Sequence, residues 1–188
     1  PLTTVNGKVI HRDWDYLQYF INEARRLGLK VTVSTAMFPS GHPATNEGLV
    51  YEESRWDGKT CLEYTPDGKM LDIREDKKKV GAFLNPVRKD VRKFALSIVR
   101  EIVKNYDVDA YALDYCRYPG DDSDFSADSH KAFEHYLGKK VRNFPDNIFT
   151  WNADGTKNPG VYYKEWWAFR ANVITSFVKE VRKEIHSI

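Results

Sequence analysis

Four stretches of the chain carry apolar residues at every third or fourth position, the spacing that gathers them on one helical face. The first runs through Trp14, Leu17, Phe20, Ile21, Ala24 and Leu27, with Asp13 placed to cap it and Gly28 to stop it. The second, Val91, Phe94, Ala95, Ile98, Ile102 and Tyr106, follows Phe83-Leu84-Asn85-Pro86, where the proline suits a helix start or a strand end. Ser126 is placed to cap a third helix containing Phe133, Tyr136 and Leu137. The last, over residues 162–185, aligns Trp166, Phe169, Val173, Phe177, Val181 and Ile185. Two short apolar runs alternate with these helices. Residues 29–37, rich in Val and Thr, and residues 110–113 read as parallel strands buried on both faces. Helix, glycine, strand, helix, strand is the signature of an α/β fold with right-handed crossovers.

Residues 48–73 interrupt that alternation. The turns Trp56-Asp57-Gly58-Lys59 and Pro66-Asp67-Gly68-Lys69 predict a small antiparallel hairpin, residues 61–64 against 70–73, lying over the mouth of a barrel. A third Asp-Gly pair, with Pro159, makes residues 152–160 read as a long loop. Residues 120–124 cluster three aspartates without the regular ligand spacing of a calcium loop, so a solvent-exposed loop is expected there. Lys77-Lys78-Lys79 reads as a solvated turn. His130 and His135 are five apart, do not share a helical face, and give no zinc site.

The chain of 188 residues has 29 basic and 27 acidic residues, a near balance that carries no nucleic-acid footprint. It is long enough for one domain, residues 1–188, with a substantial core. No apolar run approaches the roughly 20 residues of a membrane helix. Aromatics make up 14% of the chain, which suits either a ring-rich core or a sugar-stacking surface. Cys61 and Cys116 lack Cys-x-x-Cys spacing and indicate no compartment. The start at Pro1 and the end within a helical pattern suggest a segment of something longer.

The candidate chemistry sits just past residues 110–113, where parallel α/β folds place their ligands. Asp114, Tyr115, Arg117 and Tyr118 crowd together there, an acid, a guanidinium and two phenols suited to a polar ring-shaped ligand such as a sugar. The alternative is a carboxylate–arginine pair that stitches a loop to the barrel rim. His42, in the loop after the first strand, suits either a hydroxyl contact or a brace for that loop. Asn85 lies at a neighbouring strand end, and Trp167 and Arg170 stand near the start of the last helix, within reach of the same mouth.

The run from Val99 to Asp109, then Leu113-Asp114-Tyr115 and Arg117-Tyr118-Pro119, resembles the glycosyl-hydrolase-like family 10 domain of bacterial proteins. Asn85-Pro86, Gly28-Leu29-Lys30-Val31 and the spacing of Trp167, Arg170, Asn172 and Phe177-Val178 are similar to the same family. The resemblance implies a TIM (β/α)8-barrel glycoside hydrolase of the amylase-type superfamily on extracytoplasmic proteins (periplasm, cell surface or secreted). A whole barrel takes about 250 residues, so this chain is expected to be a partial barrel lacking the first and last strands. Glycoside hydrolysis ordinarily uses two carboxyl groups. Asp114 matches the family's strand-end acid and is the expected nucleophile, kept ionised by Arg117. Tyr115, Tyr118, Asn85, His42 and Arg170 are the expected substrate contacts, with no metal or other cofactor. No second carboxyl stands out, Asp121 and Asp122 being on a loop expected to be mobile. The rival expectation is a non-catalytic carbohydrate-binding protein on the same fold, and the exposed barrel seam would allow self-association.

Overall fold

A computed structural model describes residues 14–188, together with the two-residue strands β1 (Thr4–Val5) and β2 (Lys8–Val9), which pair antiparallel. Asp13, expected to cap the first helix, lies outside the described residues. Helix α1 (Tyr16–Arg26) is instead capped by Asp15, whose carboxylate accepts from the Gln18 backbone N–H at 2.9 Å. Arg25 and Arg26 in its last turn complement the negative end of the helix dipole. The expected apolar stripe is broader than the buried one. Ile21 and Ala24 are buried, whereas Trp14, Phe20 and Leu27 are more than half exposed, because α1 meets the rest of the fold only along a narrow line around Val31 and Val33.

Strands β3 (Thr32–Ala36) and, after the next long helix, β6 (Ala110–Asp114) pair in parallel, Thr32 opposite Ala110 and Ala36 opposite Asp114. Asp109 fixes where both strands begin: its carboxylate accepts from the Val31 N–H at 2.7 Å and pairs with Arg25 at 2.9 Å. The expectation of burial on both faces is corrected here. Val33, Thr35, Tyr111 and Leu113 point to the helical side, while Thr32, Ser34, Ala36, Ala110 and Asp114 are exposed on the other. Side chains alternate along a strand, and among the described residues nothing covers the second face of this pair.

The excursion that follows β3 contains α2 (Leu49–Glu52), a 3₁₀ turn (Ser54–Trp56) and a hairpin of β4 (Leu62–Tyr64) and β5 (Met70–Asp72). The sequence-based expectation of a hairpin holds. Both Asp-Gly turns place their glycine in the left-handed region, Gly58 at φ 69° and Gly68 at φ 78°, where a side chain is strained. Helix α3 (Lys89–Asn105) buries Val91, Ala95 and Val99. It lies beside the final helix α5 (Tyr163–Ile185), and the Arg92 guanidinium bridges the two by donating to the Pro86 and Val173 carbonyls and pairing with Glu180 at 2.6 Å. Phe38, Cys61, Ile73, Phe83, Leu84 and Phe177 pack with these helices into one core.

A second core is mostly aromatic, with Val141, Ile148 and Val173 filling in between the rings. Helix α4 (Ala127–Leu137), α5 and a second hairpin enclose Phe125, Phe133, Phe149, Trp166 and Phe169. That hairpin, β7 (Phe149–Trp151) with β8 (Lys157–Pro159), replaces the long loop expected over residues 152–160. Its turn is again Asp-Gly, and Pro159 is tolerated because β8 is an edge strand.

Asp124 ties the two halves together. It is completely buried, and its carboxylate accepts from the Leu62 N–H at 2.6 Å, the Asn85 amide at 2.5 Å, and the hydroxyls of Ser126 and Ser129 at 2.5 and 2.6 Å. Burial pushes its pKa up, and these donors pull it back. The loop expected to be solvent-exposed is therefore anchored at its end, with Ser123 also fully buried. Ser126 caps α4 as expected, accepting from the Ser129 N–H. Asp124→Ala leaves these donors without an acceptor in a dry site. It is expected to lower unfolding stability by about 3–5 kcal/mol, read as a shifted urea midpoint; a midpoint within error of the parent would contradict the anchor.

Candidate carbohydrate site at the end of β6

Asp114 is the last residue of β6 and is exposed at the strand's carboxyl end. Its Oδ1 accepts from the N–H of Tyr115 at 2.9 Å. Tyr115 sits at φ 46°, a left-handed conformation that costs a bulky residue about 1–3 kcal/mol. The turn it forces sends the chain sharply away from the sheet and leaves its ring partly exposed, edge-on to Phe83 at 5.9 Å.

Arg117 makes no ion pair with Asp114, which corrects the expectation that it holds the carboxylate ionised. Its Nη1 donates to the carbonyls of Tyr118 at 2.9 Å and Pro119 at 3.1 Å, and the guanidinium lies over the rings of Tyr115 and Phe83. Local carbonyls and aromatic faces have captured it. Tyr118 is 7% exposed, and its hydroxyl has no hydrogen-bond partner. Burial pushes that phenol's pKa well up. The Arg170 guanidinium lies 4.5 Å from the Tyr118 ring and 4.7 Å from the Trp167 ring, while donating to the Gly120 carbonyl. Cys116, Arg117, Tyr118, Asp121, Trp167 and Arg170 line a cleft of about 380 Å³ between the post-β6 turn and α5.

Two expected contacts lie elsewhere. Asn85 is 1% exposed; its amide donates to Asp124 and its carbonyl accepts from the Val87 N–H, so it holds the scaffold beneath the turn. His42 stands exposed on the loop after β3, where its N–H donates to Glu47 and its carbonyl accepts from Asn46. Neither lines the cleft, and nor do Asp114 and Tyr115, which stand at the strand end beside it.

The structure adds charged groups that composition did not single out. Lys79, expected in a solvated turn, is only 23% exposed and pairs with Glu63, itself 2% exposed, and with Asp122 at 3.3 Å. Burial pushes the Glu63 pKa up and Lys79 partly offsets it. Asp121 pairs with Lys157 at 2.5 Å. The alternation of residues 62–64 held a hint of this, since a lone Glu63 falls between apolar positions. Among the described residues, no group of three or more His, Cys, Asp or Glu could hold a metal ion. A larger groove of about 490 Å³, lined by Val87, Lys93, His135, Tyr136 and Asn172, lies within the helical layer, among α3, α4 and α5. Ring faces and two guanidinium groups along the cleft can stack a sugar ring and bond its hydroxyls, and the exposed Asp114 carboxylate at the strand end can present one reactive oxygen. Because Asp114 and Arg117 share no contact, the stability effects of Asp114→Asn and Arg117→Ala are expected to add within about 0.5 kcal/mol; a larger coupling in the double-mutant cycle would restore the ion pair.

No helix among the described residues is long and apolar enough to cross a membrane. The chain matches the glycosyl hydrolase-like 10 family over residues 4–188. It is 38% identical over 176 residues to an S-layer-related protein of Niallia circulans, a match covering 91% of this chain and 11% of that protein. The chain thus spans about a tenth of that relative's length. A mixed α/β architecture, an acid closing a parallel strand, and a match across nearly its whole length agree: the chain belongs to the glycosyl hydrolase-like 10 family.

Proposed function

We propose that this chain forms part of a single (β/α)8-barrel domain that hydrolyses a poly- or oligosaccharide at the carboxyl end of β6, with Asp114 as the nucleophile. The observation that carries this reading is Asp114 itself: an exposed carboxylate at the end of a parallel strand, where barrel enzymes set their chemistry. Family membership supports a carbohydrate ligand. In this reading Tyr115 and Trp167 offer ring faces to the sugar, and Arg117 and Arg170 bond its polar groups. The name of the Niallia circulans relative supports a place at the cell surface.

A specific observation favours the second reading, a non-catalytic carbohydrate-binding domain. Hydrolysis needs a partner carboxyl, about 5–9.5 Å away depending on mechanism. The carboxyls that follow β6 or pack on that turn are already committed: Asp121 to Lys157, Asp122 and Glu63 to Lys79, and Asp124 to its ring of donors. An enzyme would therefore take its general acid from another strand of the barrel.

Reducing-sugar release from α- and β-linked glucans and bacterial cell-wall glycans, by the longer protein carrying this chain, separates the two. Hydrolysis predicts turnover that falls by about 10³-fold or more in Asp114→Asn while binding stays within threefold. Binding without release in the parent would make the domain a binder. Neither binding nor release across the panel would contradict a carbohydrate function.

A further inference from the structure

Arg170 presents a buried charge with no ion-pair partner among the described residues. It is 4% exposed, and of its three nitrogens only Nη2 has a partner, the carbonyl of Gly120. Nε and Nη1 are buried without any hydrogen bond, as is the neighbouring Tyr118 hydroxyl. Asp121, which lines the same cleft, and Asp122 are near enough to act on its charge, but neither makes an ion pair with it: Asp121 is held by Lys157, and Asp122 meets Lys79 through Oδ2 while its Oδ1 is buried without a partner. The second guanidinium on the cleft, Arg117, likewise has no carboxylate partner among the described residues. An uncompensated buried cation is costly, and the Tyr118 and Trp167 rings offset only part of that cost. Burial lowers the pKa of Arg170, the same penalty seen from the proton's side. Trp167, whose ring lies 4.7 Å from the guanidinium, is itself 39% exposed and lines the cleft together with Arg170.

We propose that the cleft between the post-β6 turn and α5 recognises an acidic sugar, whose carboxylate pairs with Arg170 while its ring packs against the cleft's aromatic and aliphatic wall. The proposal rests on the carbohydrate reading above and narrows it to glycans that carry a carboxylate. Planar guanidinium and carboxylate match in a two-point, charge-assisted contact, and the cleft of about 380 Å³ has room for a sugar ring. The ligand anion supplies what the fold omits.

The experiment compares binding of a galacturonic acid tetramer with its carboxyl-reduced galactose counterpart, by calorimetry on the longer protein and on this chain. The parent is expected to prefer the acidic oligomer by at least tenfold, and added salt is expected to weaken that preference. Arg170→Gln is expected to abolish the preference by losing the acidic ligand, and Arg170→Lys to retain part of it. Equal binding of the two oligomers by the parent overturns the inference and leaves the carbohydrate reading intact. Preference that survives in a folded Arg170→Gln protein overturns the role of Arg170. Binding of neither oligomer, with a neutral glycan bound elsewhere in the panel, also overturns the acidic-sugar proposal. Failure of every glycan removes the underlying carbohydrate reading as well. The parent comparison stands even where the glutamine variant fails to fold.

Discussion

A single buried carboxylate holds this structure's site in place. Asp124 has no exposure, and the four groups it binds come from three parts of the chain: the first strand of the inserted hairpin, the residue before Pro86, and the first turn of α4 with its cap. Those contacts close the turn that begins at Asp114, so the strand-end residues and the cleft beside α5 are framed by one polar knot. A buried charge earns such a position only when its acceptor capacity is filled. Here Asn85, Ser126 and Ser129 fill it from the side, and the Leu62 backbone from above.

The other constraint is the parallel pair itself. Two strands pack against α3 and α5 through Val33, Tyr111 and Leu113, but their opposite face carries Thr32, Ser34, Ala36, Ala110 and Asp114 in register. Small and polar residues on that face are compatible with further strands beside it and with a ligand approaching its end. They would make a poor face for a free-standing sheet, because they bury little apolar area. The same logic explains why the aromatic core of α4, α5 and the second hairpin is so dense. With two parallel strands among the described residues, the helices bury much of their apolar surface against the hairpins, loops and one another.

Much of this was legible from residue patterns, and the failures have physical causes. The four long helices, both strands of the parallel pair and the first hairpin follow from periodicity and Asp-Gly turns, which are local signals, whereas the short α2 was not read from the sequence. Asp114 falls at its strand end because the apolar run stops there. The second hairpin was missed because Pro159 suggested a loop, although an edge strand accepts proline. The burial of Asp124 and Lys79 could not be read from the sequence, since each depends on partners up to 62 residues away. Asn85 and Arg117 were read as ligand contacts from their places at strand ends and from the family resemblance. Tertiary contacts gave the first to a buried network and the second to backbone carbonyls and ring faces. Arg170 lines the cleft beside Tyr118, and its lack of an ion-pair partner shows only once its neighbours are known.

The central claim is that ligand binds at the end of β6, and amide NMR during titration with cello-, malto-, chito- and galacturono-oligosaccharides tests it most directly. The account predicts shift changes concentrated in residues 114–121 and 167–174, with the β6 end and the facing turn of α5 responding together. Changes confined to the groove of Val87, Lys93 and His135 would place binding in the helical layer and contradict it.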